Sequence, residues 1–164
     1  MAVPGVDIAH SAIMVAVKKG TPRPDISSVE KFKAAMLAAK SIAMSNPVGG
    51  GTSGAHLAKV FEQLGIADAL KGKMIYGPGG PAGLIGNYLV RGEAEIGIQQ
   101  ESELMAVPGV DIVGPLPAEI QSVSVFALGK MATGGNGDAV KALGQLLRTP
   151  AALAVLKDKG LTPA

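Results

Sequence analysis

Apolar residues fall along this chain in two alternating rhythms, short dense runs and longer stretches spaced for one face of a helix. Residues 7–17 form an Ile- and Val-rich run that ends in the turn Lys19-Gly20-Thr21-Pro22, which predicts a buried strand. Ser27-Ser28-Val29-Glu30 has capping-box spacing, Ser27 followed three residues on by Glu30. It opens a predicted helix with Val29, Phe32, Met36 and Leu37 on one face and Glu30, Lys31 and Lys33 toward water. Residues 41–45 read as a short strand ended by Asn46-Pro47. After the glycine-rich residues 48–54, Leu57, Val60, Phe61 and Leu64 mark an amphipathic helix, with Gly65 as its stop.

The alternation continues with a strand at 73–77, a Pro/Gly turn at 78–81 and a helix carrying Leu84, Ile85, Tyr88 and Leu89 on one face. A strand at 95–99, a short polar helix at 101–104 and strands at 110–113 and 123–128 follow. Strands alternating with helices predict an α/β fold, a mostly parallel sheet with helices on both faces. The end of the chain differs. After the glycine-rich residues 134–137, helices are expected at 138–148 and 149–159, the second with Thr149 as N-cap, Pro150 at its first position and Gly160 beyond its end. A boundary is therefore expected near residue 129, with an α/β lobe over 1–128 and a C-terminal helical segment over 129–164. The octapeptide MAVPGVDI occurs at 1–8 and again at 105–112. Two copies do not make a solenoid. They read either as a duplication at the start of the chain or as two equivalent units of Pro-Gly turn plus strand.

Composition narrows the function. With 48% hydrophobic residues the chain can build a core, and with 3% aromatics that core is aliphatic. Its charges nearly balance at +2, no basic block exceeds Lys18-Lys19, and there are few rings to stack on bases, so nucleic acid is not an expected partner. The absence of Cys removes thiol chemistry and Cys-based zinc sites, and His10 and His56 have no metal-ligand partner at motif spacing. No cofactor is implied. No continuous apolar window is long enough for a membrane span, and the N-terminus lacks the regions of a signal peptide. The chain as given is therefore expected to be cytoplasmic or to follow an export segment lying upstream.

The most informative stretch is SNPVGGGTSGAHLAKVF. A glycine-rich loop after a strand and before a helix presents backbone N–H groups at the positive end of the helix dipole, which suits a carboxylate or oxyanion without any cation. Gly50, Gly51, Thr52, Ser53 and Gly54 are the candidate donors. Ala55 and His56 stand where a P-loop needs Lys and Ser/Thr, and the glycine spacing does not match a nucleophile elbow. A simple cap by Thr52 or Ser53 is the competing explanation. The second glycine turn, YGPGGPA, adds Gly80 and Ala82. Gln99 and Gln100, ending a strand where open α/β sheets bind ligands, offer amide groups. Glu101 and Glu103 are a carboxylate pair more simply explained as favourable charges at a helix start. No acid–base set of an enzyme is apparent, and both histidines read as structural.

The segments DIAHSAIMVAVKKGTPRPDISS, SNPVGGGTSGAHLAKVFEQLGI, LVRGEAEIGIQQESEL, VDIVGPLPAEIQSVSVFALGK and AVKALGQLLRTPAALAVLKDKGLTPA resemble extracellular solute-binding proteins of the molybdate-binding-protein-like group. The resemblance covers nearly the whole chain in order. It implies the type II periplasmic-binding-protein fold, a periplasmic location, and an oxyanion held by neutral donors between two lobes and delivered to the membrane subunit of an ABC importer. It also implies amide donors at Ser53 and Ala82, while Gln100 stands where molybdate binders carry a tyrosine. The strand–helix–strand–helix segment that opens the first lobe in the family has no counterpart here. The expected function is a solute-binding lobe with weak or altered ligand binding rather than an enzyme. The alternative is an interaction module. Val140, Leu143, Leu146, Leu147, Leu153 and Leu156 form apolar stripes on the terminal helices, so association between copies is expected, with residues 134–137 as a hinge. An enzyme using the glycine loop for phosphate lacks an identifiable base.

Overall fold

The computed structural model describes residues 5–49, 51–78, 83–129 and 136–164. The first half of the first copy of the octapeptide therefore lies outside the described residues. So do Gly50, Gly80 and Ala82 of the candidate site, and Gly134 and Gly135 of the expected hinge. The chain forms two units, Ala12–Ser122 and Met1–Ser11 with Val123–Ala164.

The larger unit contains β1 (Val6–Lys18, from Ala12 onward), α1 (Val29–Ala38), β2 (Ile42–Ser45), α2 (Thr52–Gln63), α3 (Ala67–Leu70), β3 (Met74–Gly77), α4 (Gly86–Val90), β4 (Ile96–Gln100), α5 (Glu101–Met105) and β5 (Val110–Pro115). Its strands lie in the order β3-β2-β4-β1-β5. β2 is parallel to β3 and β4, with Ile42 opposite both Met74 and Ile96. β1 is antiparallel to β4 and β5, pairing Ile13 with Gln100 and Lys18 with Val110. The α/β fold with helices on both faces is as expected, but the sheet is mixed rather than mostly parallel. Strands joined through helices share one direction, because a crossover returns the chain to the same end. β1 is inserted between β4 and β5 running the other way, and its direction is not encoded in its own sequence.

Strand alternation divides the core into two layers. Ile13, Val15, Ile42, Met44, Ile96 and Ile98 face a cluster completed by Phe32, Met36, Leu57, Val60, Phe61 and Leu70 from α1, α2 and α3. Phe32 and Phe61 stack with ring centroids 6.4 Å apart and planes 11° from parallel. Ala16 and Ala43 face the opposite cluster, formed by Ile85, Leu89, Ala94 and Leu104. Small residues are needed there: a Cβ on Gly97 would stand 2.9 Å from Leu89 Cδ1, so the strand comes close to α4. Leu37, expected on the buried face of α1, is 41% exposed.

Helix ends are fixed by named side chains. Ser28, not Ser27, caps α1, accepting from the Lys31 N–H at 3.2 Å. Ser27 instead donates to Asp25 at 2.7 Å and accepts from Lys31 Nζ. At the other end of α1, Lys73 Nζ donates to the carbonyls of Leu37 (2.6 Å) and Ala39 (2.9 Å), and Lys33 Nζ closes α2 at the carbonyl of Leu64 (2.8 Å). α5 starts with Gln100 as N-cap, whose N–H donates to the Glu103 carboxylate. Burial nevertheless pushes the Glu103 carboxyl above the ordinary glutamate range, and Glu101 is raised by burial as well.

The smaller unit comprises the first residues of β1 together with β6 (Val123–Leu128), α6 (Gly137–Leu146), α7 (Pro150–Asp158) and β7 (Thr162–Pro163). Both β6 and β7 pair with β1. Ala9 lies opposite Pro163, and the Ala164 N–H reaches the Ile8 carbonyl at 3.1 Å. Thr149 caps α7 with Pro150 at its first turn, and Gly160 has φ 74° beyond its end, as the sequence predicts. The expected boundary near residue 129 falls inside this unit, because strand pairing unites β6 with the start of β1. Among the described residues no single helix is long and apolar enough to cross a membrane.

Two outcomes follow from these ends. Lys73→Met removes the cation that satisfies two terminal carbonyls and is expected to cost about 1–2 kcal/mol, read from the urea midpoint. Because the folded pKa of Glu103 is raised, its ionisation opposes folding: stability is greatest below the ordinary glutamate range and falls as pH rises through the raised value. Glu103→Gln keeps an acceptor for the Gln100 N–H and removes that penalty. It should raise the melting temperature at pH 7 and leave it unchanged near pH 4.

Candidate functional site

The glycine-rich segment leads from the C-terminal end of β2 into α2. Gly49 and Gly51 have φ 77° and 116°, the left-handed region where a side chain is strained, so the backbone itself requires glycine at both. Gly54 answers a different need. A Cβ there would stand 2.4 Å from the Ser45 carbonyl oxygen and 2.9 Å from that of Asn46, so only glycine lets the first turn of α2 lie against the end of β2. The run of glycines therefore has local explanations, turn geometry and helix–strand approach. Gly51 is the N-cap of α2, so the cap residue itself has no side chain to accept from the first turn. The first backbone bond of the helix, from the Ala55 N–H to the Gly51 carbonyl, is long at 3.4 Å, and the amides of Ser53 and Gly54 precede it. Thr52 and Gly51 are exposed, while Ser53 is buried.

Beside this end, Ser45 and Gln99 are both buried. Ser45 ends β2 and Gln99 is the last residue but one of the parallel strand β4, each one step beyond the Met44–Ile98 pair. Gln99 Nε2 donates to Ser45 Oγ (3.3 Å) and to the Gly83 carbonyl (3.1 Å), and its Oε1 accepts from the Ile85 N–H (2.8 Å). Both amide protons and the carbonyl oxygen are thus engaged within the protein. Gln99, expected to offer its amide to a ligand, instead ties β4, β2 and the entry to α4 together. Gln100 is buried, opposite Ile13 in the sheet, and starts α5.

The structure thus brings Gly51, Thr52, Ser53 and Gly54 to the end of β2, and Gln99 and Gln100 to the end of β4 beside it. Gly50, Gly80 and Ala82 lie outside the described residues. His56 is spent on the main chain, its Nε2 2.8 Å from the Ile120 carbonyl oxygen. No group of three or more His, Asp or Glu that could hold a metal occurs among the described residues.

A cleft of about 730 Å³ that the sequence did not announce lies elsewhere in the larger unit, walled by Pro24, Ile26, Leu116 and Pro117 with Arg23 and Asp25 at its edge. Its charges are matched internally. Asp25 bonds Lys31 (2.7 Å) and Ser27, which hold its carboxyl far below the usual range, and Arg23 stands 3.6 Å from Asp111. The cleft is built by long-range contact between residues 23–27 and 113–118. Ser45 was not singled out by the sequence, whose one local signal is a polar residue closing the short apolar strand at 41–45.

The model of the family described as "Bacterial extracellular solute-binding protein" matches residues 1–162. An aconitate isomerase of a Pseudomonas species is 37% identical over 161 residues, covering 96% of this chain; the chain spans 58% of the length of that relative. A substrate-binding domain assigned to a molybdenum ABC transporter of Clostridium difficile superposes with a TM-score of 0.74 at 15% identity, over 98% of this chain and 66% of that one. The periplasmic molybdate-binding protein of Azotobacter vinelandii gives a TM-score of 0.64 at 16% identity, over 98% and 69%. With the family model matching nearly the whole chain and the α/β architecture in place, the chain belongs to the bacterial extracellular solute-binding protein family.

Proposed function

We propose that the larger unit binds a small anion rich in oxygen acceptors at the start of α2, through the amides of residues 51–54. The observation that carries this reading is the N-terminus of a twelve-residue helix whose N-cap is a glycine, set at the carboxyl end of a strand where α/β sheets take ligands. Gly50 belongs to the same run of donors, and Gly80 and Ala82 complete the proposed set. Gln99 positions the strand ends rather than touching the ligand. Relatives support the ligand class. Molybdate is an oxyanion and aconitate a carboxylate, and both ask for several hydrogen-bond donors rather than a metal or a thiol. Delivery to the membrane subunit of an ABC importer, outside the cytoplasm, is the physiological setting this family membership supports.

The site is neutral apart from the helix dipole, and this sets the expected strength. One partly buried helix end contributes up to about 2 kcal/mol, whereas a 1 μM complex needs about 8 kcal/mol. Binding without turnover is the reading proposed here, since His56 is committed to Ile120 and the set of residues at the mouth is one of amides and hydroxyls.

Calorimetric titration of the chain with molybdate, tungstate and the aconitate isomers is expected to give dissociation constants weaker than about 100 μM. Proton NMR of cis-aconitate incubated with the chain should show no growth of the trans isomer. Submicromolar affinity, or isomerisation proportional to protein concentration, would overturn the reading. Gly54→Ala, which drives a methyl against the Ser45 carbonyl, should cost about 1–3 kcal/mol of stability and weaken anion binding, whereas Val48→Thr on the exposed loop should change neither.

A further inference from the structure

The cleft of about 730 Å³ in the larger unit shares no lining residue with the start of α2. Its size is that of a site for a small organic molecule. Pro24, Ile26, Val113, Leu116 and Pro117 give it apolar walls. Ile26 and Leu116 belong to the buried core and Val113 packs against it, so these walls are set by the core. Two polar side chains on the same lining have donors to spare. Gln121 closes onto β1: its Oε1 accepts from the N–H groups of Ile13 (3.1 Å) and Ser122 (2.9 Å), and its Nε2 donates to the Ile13 carbonyl (2.9 Å). One of its two amide protons is left over. The Arg23 side chain is 57% exposed and stands 3.6 Å from Asp111 Oδ2, too far for a hydrogen bond; that oxygen accepts instead from the Gly20 N–H at 3.3 Å. Asp111 thus balances the charge of Arg23 without occupying its donors, and among the described residues the guanidinium makes no hydrogen bond. Asp25, the carboxylate on the same lining, is held by Lys31 Nζ and Ser27 Oγ, both at 2.7 Å, so its charge is already countered.

We propose that this cleft is a second binding site, for a monocarboxylic acid with an apolar body. The carboxylate lies on Arg23, and the hydrocarbon chain or ring lies along Pro24, Ile26, Leu116 and Pro117. A guanidinium matches a carboxylate with two parallel N–H donors, and the spare N–H of Gln121 suits a further acceptor on the guest. Burial of the hydrocarbon body against the apolar walls supplies the rest of the affinity. The same lining rejects molybdate and aconitate. One guanidinium that already has a counter-ion does not neutralise a second or third negative charge, and the remaining oxygens would lose water against proline and isoleucine. The two sites therefore select different ligands, and either can fail without the other.

The test uses the whole chain, isotopically labelled, with octanoate as the probe. Saturable amide shifts are expected within residues 23–27 and 113–118 and at the side-chain amide of Gln121, with residues 51–54 unmoved. Octanol, which has the same body and no charge, should bind about tenfold more weakly. Arg23→Gln, at an exposed position, should keep the melting temperature of the chain and bring octanoate down to the level of octanol. Asp111→Asn removes the competing anion, keeps an acceptor for the Gly20 N–H, and should strengthen octanoate binding severalfold. Equal affinity for octanoate and octanol, or undiminished octanoate binding by Arg23→Gln, overturns the proposal. So do the lack of any saturable shift and shifts centred on residues 51–54. Shifts spread over Val123, Val125, Phe126, Leu143 and Leu146 also overturn it, because they would mean adsorption to exposed apolar side chains.

Discussion

A single buried amide organises the region to which the rest of the structure leads. Gln99 stands one residue before the end of β4 with its side chain turned inward, and its three hydrogen bonds hold Ser45 at the end of β2, the carbonyl of Gly83 and the N–H of Ile85. A buried amide is expensive unless every polar atom is matched, so these partners are constrained together rather than one at a time. The end of β2 is fixed in turn against α2, because Gly54 allows the helix to approach the Ser45 and Asn46 carbonyls. The orientation of the first-turn amides of α2 is thus a consequence of the sheet, reached through one glutamine and one glycine.

On the proposed reading, this arrangement recognises negative charge without carrying positive charge. The helix end supplies partial charges that are fixed in place, and neighbouring hydroxyl and amide groups add dipoles rather than ions. At the edge of the cleft the charges are matched locally, Asp25 with Lys31 and Ser27, Arg23 with Asp111.

Much of this was readable in the sequence, and the parts that were not share a cause. Local signals were reliable: the β1 run, the Thr149–Pro150 start of α7, the glycine stops at Gly65 and Gly160, and the periodicity of α2 with Leu57, Val60 and Phe61 inward. The glycine run at residues 49–54 was found, but its reason was legible only in part. Positive φ at Gly49 and Gly51 and close approach at Gly54 are requirements of the backbone, not of a ligand. Features that depend on distant segments were hidden. The direction of β1 depends on its insertion between β4 and β5, and the inward turn of Gln99 depends on which face of β4 meets α4. The division of the chain depends on β6 pairing with the start of β1. The cleft beside residues 23–27 joins segments about ninety positions apart.

Anion recognition by the main chain of α2 is the claim on which the functional account stands. It is tested most directly by following backbone amide resonances while molybdate, and separately trans-aconitate, is added to the isotopically labelled chain. The account predicts saturable shifts that are largest at Thr52, Ser53 and Gly54, with the N–H of Ile85 unmoved because Gln99 retains it. Shifts centred instead on residues 23–27 and 113–118, with residues 51–54 unperturbed, would contradict it.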